Sequence, residues 1–167
     1  MTTLKQIQCW MSRVLRTALA PSVATTVAVT ICGHRDEGNA IAPLNAISHI
    51  AWGDVAAKQE DASVRYTATG IALNIAAITS WSAVYELAFG RVARKNSLPA
   101  AMLGGISVAA LAYVIDYYVV PKRLTPGFEK RLTPRSMFIV YSSLALSLPL
   151  ASLLERDSAA DGSGAID

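Results

Sequence analysis

Charge is scarce in this chain. Asp, Glu, Lys and Arg supply 16% of its residues while hydrophobic types supply 53%, against about 25% charged in a typical globular chain. Groups that perform chemistry are scarcer still. Two histidines, His34 and His49, and two cysteines, Cys9 and Cys32, are present, and no zinc-type spacing joins them. Bis-His haem ligation needs imidazoles facing each other from spanning helices, whereas His34 falls in a loop and His49 on a short helix. There is no G-x-S-x-G, no Walker motif and no H-E-x-x-H, which weighs against a hydrolase or an NTPase. The expectation is a protein without cofactor or metal, leaning away from an enzyme.

What the chain does contain is uncharged length. Residues 17–33, 66–85, 96–115 and 136–154 run without a formal charge. Each is close to the roughly 20 residues an α-helix needs to cross about 30 Å of hydrocarbon. The expected architecture is all-α: a four-helix transmembrane bundle with spans at about 15–33, 66–88, 99–119 and 135–154. One integral unit fills the 167 residues, which leave no room for a second domain. The first run follows Lys5, Arg13 and Arg16 and reads as a retained signal anchor, because no small-x-small cleavage site closes it. Cys9 and Cys32 sit at its two ends, as isolated thiols. Beyond Arg156 the tail is small, polar and acidic, and disorder is expected over 157–167.

Between the first two runs, residues 39–52 turn apolar again. Pro43 suits a first helical position and Gly53 the residue past the end, giving about ten residues that reach only some 15 Å. The segment is too short to cross, so a short interfacial or re-entrant helix is expected, with Asn45, His49 and Trp52 on one face. Whether it crosses after all bears on orientation. Lys and Arg number seven on the amino-terminal side of a four-span chain and eight on the other, so the positive-inside rule barely discriminates. The basic amino terminus tilts the reading to N-in, C-in in a bacterial inner membrane.

Between the third and fourth runs Lys122-Arg123-Leu124-Thr125-Pro126 recurs as Lys130-Arg131-Leu132-Thr133-Pro134. In each copy the Thr is placed to cap a helix that begins at Pro. The bases of the repeat, with Arg135, read as a topology and anchoring device or as a contact for anionic lipid headgroups or a partner's acidic face. The net charge of +3 is small and gathered beside the membrane, which suits anionic lipid and not nucleic acid.

A few polar residues inside the spans are the candidate functional groups. Asp116 shares a helical face with Ala112, Ala109, Gly105 and Ala101, a small-residue face that aims the carboxylate at another helix. The rival expectation pairs Asp116 with Lys122 or Arg123 at headgroup level. Glu86 shares a broad face with Asn74, Ser82 and Tyr85, a stripe that either bonds to neighbouring helices or lines an aqueous path. Ala72, Ala76 and Ser80 are expected to pack on Ala101, Gly105 and Ala109 as the centre of the fold, with Val108 off that face. Since spans two and three are antiparallel, Glu86 and Asp116 end on opposite sides of the bilayer. They are thus no catalytic pair. His49 and Asp54 match H-x4-D, a spacing found in membrane glycerolipid acyltransferases, but the phosphate-gripping Gly/Arg block of such enzymes is missing.

The runs NAISHIAWGD and DYYVVPKRLTPGFE together resemble small bacterial inner-membrane proteins. That resemblance implies a helical inner-membrane protein and transfers no catalytic residue. The leading expectation is a non-enzymatic accessory subunit or lipid-interacting scaffold, working with membrane lipids, with a membrane-protein partner or with further copies of itself. The alternatives are a small oligomeric proton- or cation-linked transport protein built on Asp116 and the Asn74, Ser82, Glu86 stripe, and an acyl-transfer enzyme built on His49 and Asp54.

Overall fold

The computed structural model describes residues 3–95 and 98–154; the stretch 157–167, expected to be disordered, lies outside them. Regular structure among the described residues is entirely helical. Thr3–Glu37, Val64–Ala88, Leu98–Val119 and Pro134–Leu154 are long and apolar enough to cross a membrane.

Helix α1 (Thr3–Glu37) runs well past its uncharged stretch at both ends and carries Pro21 in its interior without ending there. The Thr25 hydroxyl donates to the Pro21 carbonyl at 2.8 Å. The apolar segment that follows forms two short pieces, α2 (Ala42–Ile47) and α3 (His49–Trp52). Ser48 parts them at φ −70°, ψ 0°, and that break shifts the helical phase. Asn45 and His49 are consequently buried while Trp52, expected on their face, is exposed. Gly53, at φ 75°, ends α3 in a conformation that glycine adopts without strain.

Helix α4 (Thr69–Ala88) continues a π-helical turn, Val64–Ala68, whose first turn Ser63 caps by accepting from the Tyr66 N–H at 3.1 Å. After Phe89 comes the short α5 (Gly90–Arg94), then α6 (Leu98–Val114), which runs into a second π-helical turn, Ile115–Val119. Single 3-10 turns at Lys122–Leu124 and Phe128–Lys130 lead to α7 (Pro134–Ser147). A turn at Leu148 and Pro149 interrupts the fourth span before it continues to Leu154, since Pro149 has no N–H to return to Ala145.

Helix α1 packs on α4 and α7, and α6 packs on α7 and α4. One apolar cluster joins α4, α6 and α7 through Ile78, Tyr85, Val108, Ala112, Leu144 and Leu148. A second joins α1, α2, α7 and the repeat segment through Val29, Cys32, Leu44, Ile47, Phe128 and Val140.

The expected centre holds on α6, where Ala101 and Ala109 are buried, and is overturned on α4. Ala72, Ala76 and Ser80 are exposed, and the buried face of α4 is Gly70, Asn74, Ile78, Ser82, Tyr85 and Glu86. Lipid tails solvate Ala as well as another helix does, but they solvate Asn, Ser or Glu badly, so polar residues take the interior face. Gly105 does lie at a close helix contact, but with α7: a Cβ there would collide with the Ala145 carbonyl. Val108, expected off the packed face, is 2% exposed, because α6 is gripped by α4 and α7 together and its buried arc is wider than one stripe.

Candidate functional site

The interior face of α4 is a polar seam against α1. The Thr17 hydroxyl donates to Glu86 Oε1 at 2.7 Å, and Arg94, on α5, pairs with Glu86 Oε2 at 2.7 Å. The Glu86 side chain is 2% exposed and that of Arg94 22%, so the charge is compensated inside the fold while the guanidinium keeps some water. Gly90 lets α5 turn back here, since a side chain at that position would meet both groups. Two to three turns away, Asn74 Nδ2 donates to the hydroxyls of Thr25 at 3.3 Å and Thr26 at 3.1 Å. Ser82, between them on the same face, is fully buried. Thr17, Thr25, Thr26 and Arg94 had no role in the sequence reading. The Ala- and Thr-rich composition of the first span is the signal of a helix whose hydroxyls face protein.

At the other end of α1, the repeat segment is tied down ionically, and its two copies do different work. In the second, Thr133 caps α7, and its N–H and hydroxyl both donate to Asp36 Oδ2 at 2.9 Å. In the first, Thr125 caps no helix; its hydroxyl contacts the Lys122 carbonyl at 3.0 Å and Glu129 Oε1 at 2.7 Å. Lys130 pairs with Asp54 at 2.5 Å, and Arg131 pairs with Glu37 at 3.2 Å while donating to the Ala57 carbonyl at 2.7 Å. Lys130 and Arg131 are therefore staples between loops. Lys122, Arg123 and Arg135 are exposed.

His49 and Asp54 are not assembled into a dyad. The His49 ring is 2% exposed. Its Nδ1 lies 3.0 Å from the Ala46 carbonyl, a contact that requires the proton on Nδ1 and leaves Nε2 as an acceptor. No group among the described residues bonds to that Nε2. Asp54 points away, 86% exposed, onto Lys130. The Lys130 ammonium, by hydrogen bond and by charge, holds the Asp54 carboxyl below its ordinary 3.8. A lowered acid pKa means that this tie is complete above the ordinary value and is lost as pH falls through the folded one.

Asp116 is the second residue of the π-helical turn of the third span. Its Oδ2 accepts from the Tyr141 hydroxyl on α7 at 2.7 Å. The expected pairing with Lys122 or Arg123 does not form. The turn at Val120 and Pro121 carries both bases into exposed chain. Tyr141 itself is wedged among Tyr113, Tyr117 and Phe128, with ring centroids 5.2, 6.1 and 6.4 Å away. Beside this aromatic group is a small, partly open cavity of about 40 Å³ lined by Thr25, Asn74, Trp81, Asp116, Phe128 and Tyr141, among others. Asp116 and Asn74, read separately in the sequence, thus share a cavity, while Glu86 belongs to a different cluster.

On their outward side, α6 and α7 enclose an apolar groove of about 960 Å³, with Ile106, Tyr113, Met137 and Phe138 on its walls and Glu129 at its loop end. Across Pro134 and Phe138 a second, shallower groove is bordered by Arg35 and Arg135 and floored by Ile139. Arg35 is 55% exposed and had no role in the sequence reading. No protein-family model, curated protein or solved structure matches this chain.

Proposed function

We propose that this protein is a non-enzymatic, multi-pass scaffold of the bacterial inner membrane that holds anionic phospholipid against α7. One observation carries the reading: Arg35 and Arg135 border a groove whose Pro134 and Phe138 are shared with the large apolar groove between α6 and α7. Guanidinium groups match phosphate oxygens in a fork geometry that water-exposed lysines do not offer. Acyl chains leaving such a phosphate run down either side of Phe138, which is 76% exposed. Two bases near an anionic headgroup are worth about 2 kcal/mol together, roughly a thirtyfold preference. Lys122 and Arg123 add to the same headgroup-level field. The four spans then form a bundle with N-in, C-in orientation, and α2 and α3 sit as a short interfacial or re-entrant element under the repeat. An accessory role beside another membrane protein is compatible with the same surface.

The test is lipid retention. Protein extracted from nanodiscs containing equal phosphatidylglycerol and phosphatidylcholine is examined by native mass spectrometry. Wild type should retain phosphatidylglycerol preferentially, and Arg35→Gln with Arg135→Gln should erase that preference while leaving the helical content intact. Equal retention of both lipids by wild type would refute the reading.

A further inference from the structure

The cavity beside Asp116 raises a question that the lipid reading leaves open: what compensates its charge. Asp116 lies within the third span, and among the described residues no Lys, Arg or His pairs with it. The single tyrosine hydrogen bond to Oδ2 leaves the carboxylate with unfilled acceptor positions. Asp116 is half-buried, and a carboxylate even partly removed from water without a counter-charge is penalised. Asn74 supplies the second observation. It is 7% exposed and spends its amide N–H groups on Thr25 and Thr26. Its carbonyl oxygen receives no hydrogen bond from the described residues, and Asn74 is among the residues that line the cavity beside Asp116. Thr25 lines it too; its hydroxyl proton is committed to the Pro21 carbonyl and one lone pair to Asn74 Nδ2, which leaves one lone pair for a further partner.

We infer that this cavity binds a monovalent cation of sodium's class, held by the Asp116 carboxylate, the Asn74 carbonyl and the Thr25 hydroxyl. The donors are all oxygen, which suits a hard cation and not a transition metal. A single carboxylate balances a single positive charge, whereas calcium sites gather six to eight oxygens with several carboxylates. Among the described residues no three His, Cys, Asp or Glu side chains gather at any point. A volume of about 40 Å³ has room for the ion and one or two waters, each needing about 10–15 Å³ on this measure. Residues from α1, α4, α7 and the π-helical turn after α6 line the cavity, with Pro126 and Phe128 on the loop side. The ion therefore bridges the first three spans, with the fourth held to it through the Tyr141 hydrogen bond to Asp116, and favours their assembled state.

The experiment uses the full chain in detergent at fixed pH and ionic strength, with NaCl replacing choline chloride. Wild-type Tm should climb with the logarithm of sodium concentration, as for any ligand that binds only the folded state. Trp81 lines the cavity while Trp10 and Trp52 are exposed elsewhere, so tryptophan emission should change saturably over the same range. In Trp81→Phe the emission change should vanish and the Tm response remain. Asp116→Asn should lose both responses while staying helical and monodisperse. A wild-type Tm identical in sodium and choline overturns the inference whatever the variants do, and so does a full sodium response in Asp116→Asn. An emission change that survives in Trp81→Phe places the ion elsewhere and overturns it as well. Because phosphatidylglycerol retention is read on a different surface, failure of the lipid scaffold reading leaves this result unaffected.

Discussion

Replacing Gly105 by Ala tests whether the fourth span is the partner of the third. The added methyl would come within 3.0 Å of the Ala145 carbonyl oxygen, closer than real Cβ atoms approach, and 3.2 Å from Pro149 Cδ. Both obstacles are rigid: one is helical backbone and the other is a ring fixed in the turn that interrupts the fourth span. Neither yields by rotating a side chain, so α6 and α7 must separate. Overpacking of this kind costs about 1–3 kcal/mol, and a backbone obstacle places it at the upper end, near a hundredfold in the unfolding constant. At the adjacent Gly104, the obstacle is the root of the Phe89 side chain, with Cγ at 2.6 Å and Cβ at 2.9 Å, which χ rotation does not move away. Gly104→Ala should therefore also cost about 1–3 kcal/mol. Ser107, exposed on the same helix, is the control: Ser107→Leu faces lipid and should be neutral. Unfolding by sodium dodecyl sulfate in mixed micelles, followed by far-ultraviolet circular dichroism, should place Gly105→Ala and Gly104→Ala both at lower midpoints than Ser107→Leu. Equal midpoints for Gly105→Ala and Ser107→Leu would refute the assignment of α7 as the partner.

Glu86→Ala strands the Arg94 guanidinium and the Thr17 hydroxyl, and because Arg94 is 22% exposed the loss should be about 2–4 kcal/mol rather than the full cost of an orphaned buried charge. The double variant Glu86→Ala with Arg94→Ala should recover part of it in the same denaturation assay; no recovery would mean that the pair contributes nothing beyond packing. For orientation, reporter fusions at the carboxyl terminus and within residues 122–135 should report cytoplasm and periplasm respectively. A periplasmic terminus with a cytoplasmic repeat would exclude the N-in, C-in arrangement of four spans.

The sequence by itself determined the class and the spans. Uncharged runs near 20 residues have one stable solution in hydrocarbon, a hydrogen-bonded helix, and Pro43, Gly53 and Pro134 mark turns whose backbone requirements are local. It also identified Asn74, Glu86 and Asp116 as costly residues. What it left undetermined was which helix each of them faces. In soluble proteins hydrophobic periodicity marks the inward side, but nearly every residue in these spans is apolar, and Ala72 is as comfortable in lipid as Ala109 is in the core. The same ambiguity misplaced Val108 and the partner of Gly105. The Tyr141 hydrogen bond to Asp116, the cavity it shares with Asn74, and the pairing of Arg94 with Glu86 join residues separated in sequence by 25, 42 and 8 positions. Such pairings have no period to read. Identical pentapeptides show the point most directly: the copy ending at Pro134 meets Asp36 and starts a helix, while the copy ending at Pro126 finds Glu129 and closes a loop over the cavity. Tertiary structure decides between them, because the carboxylate that each threonine reaches comes from a different part of the fold.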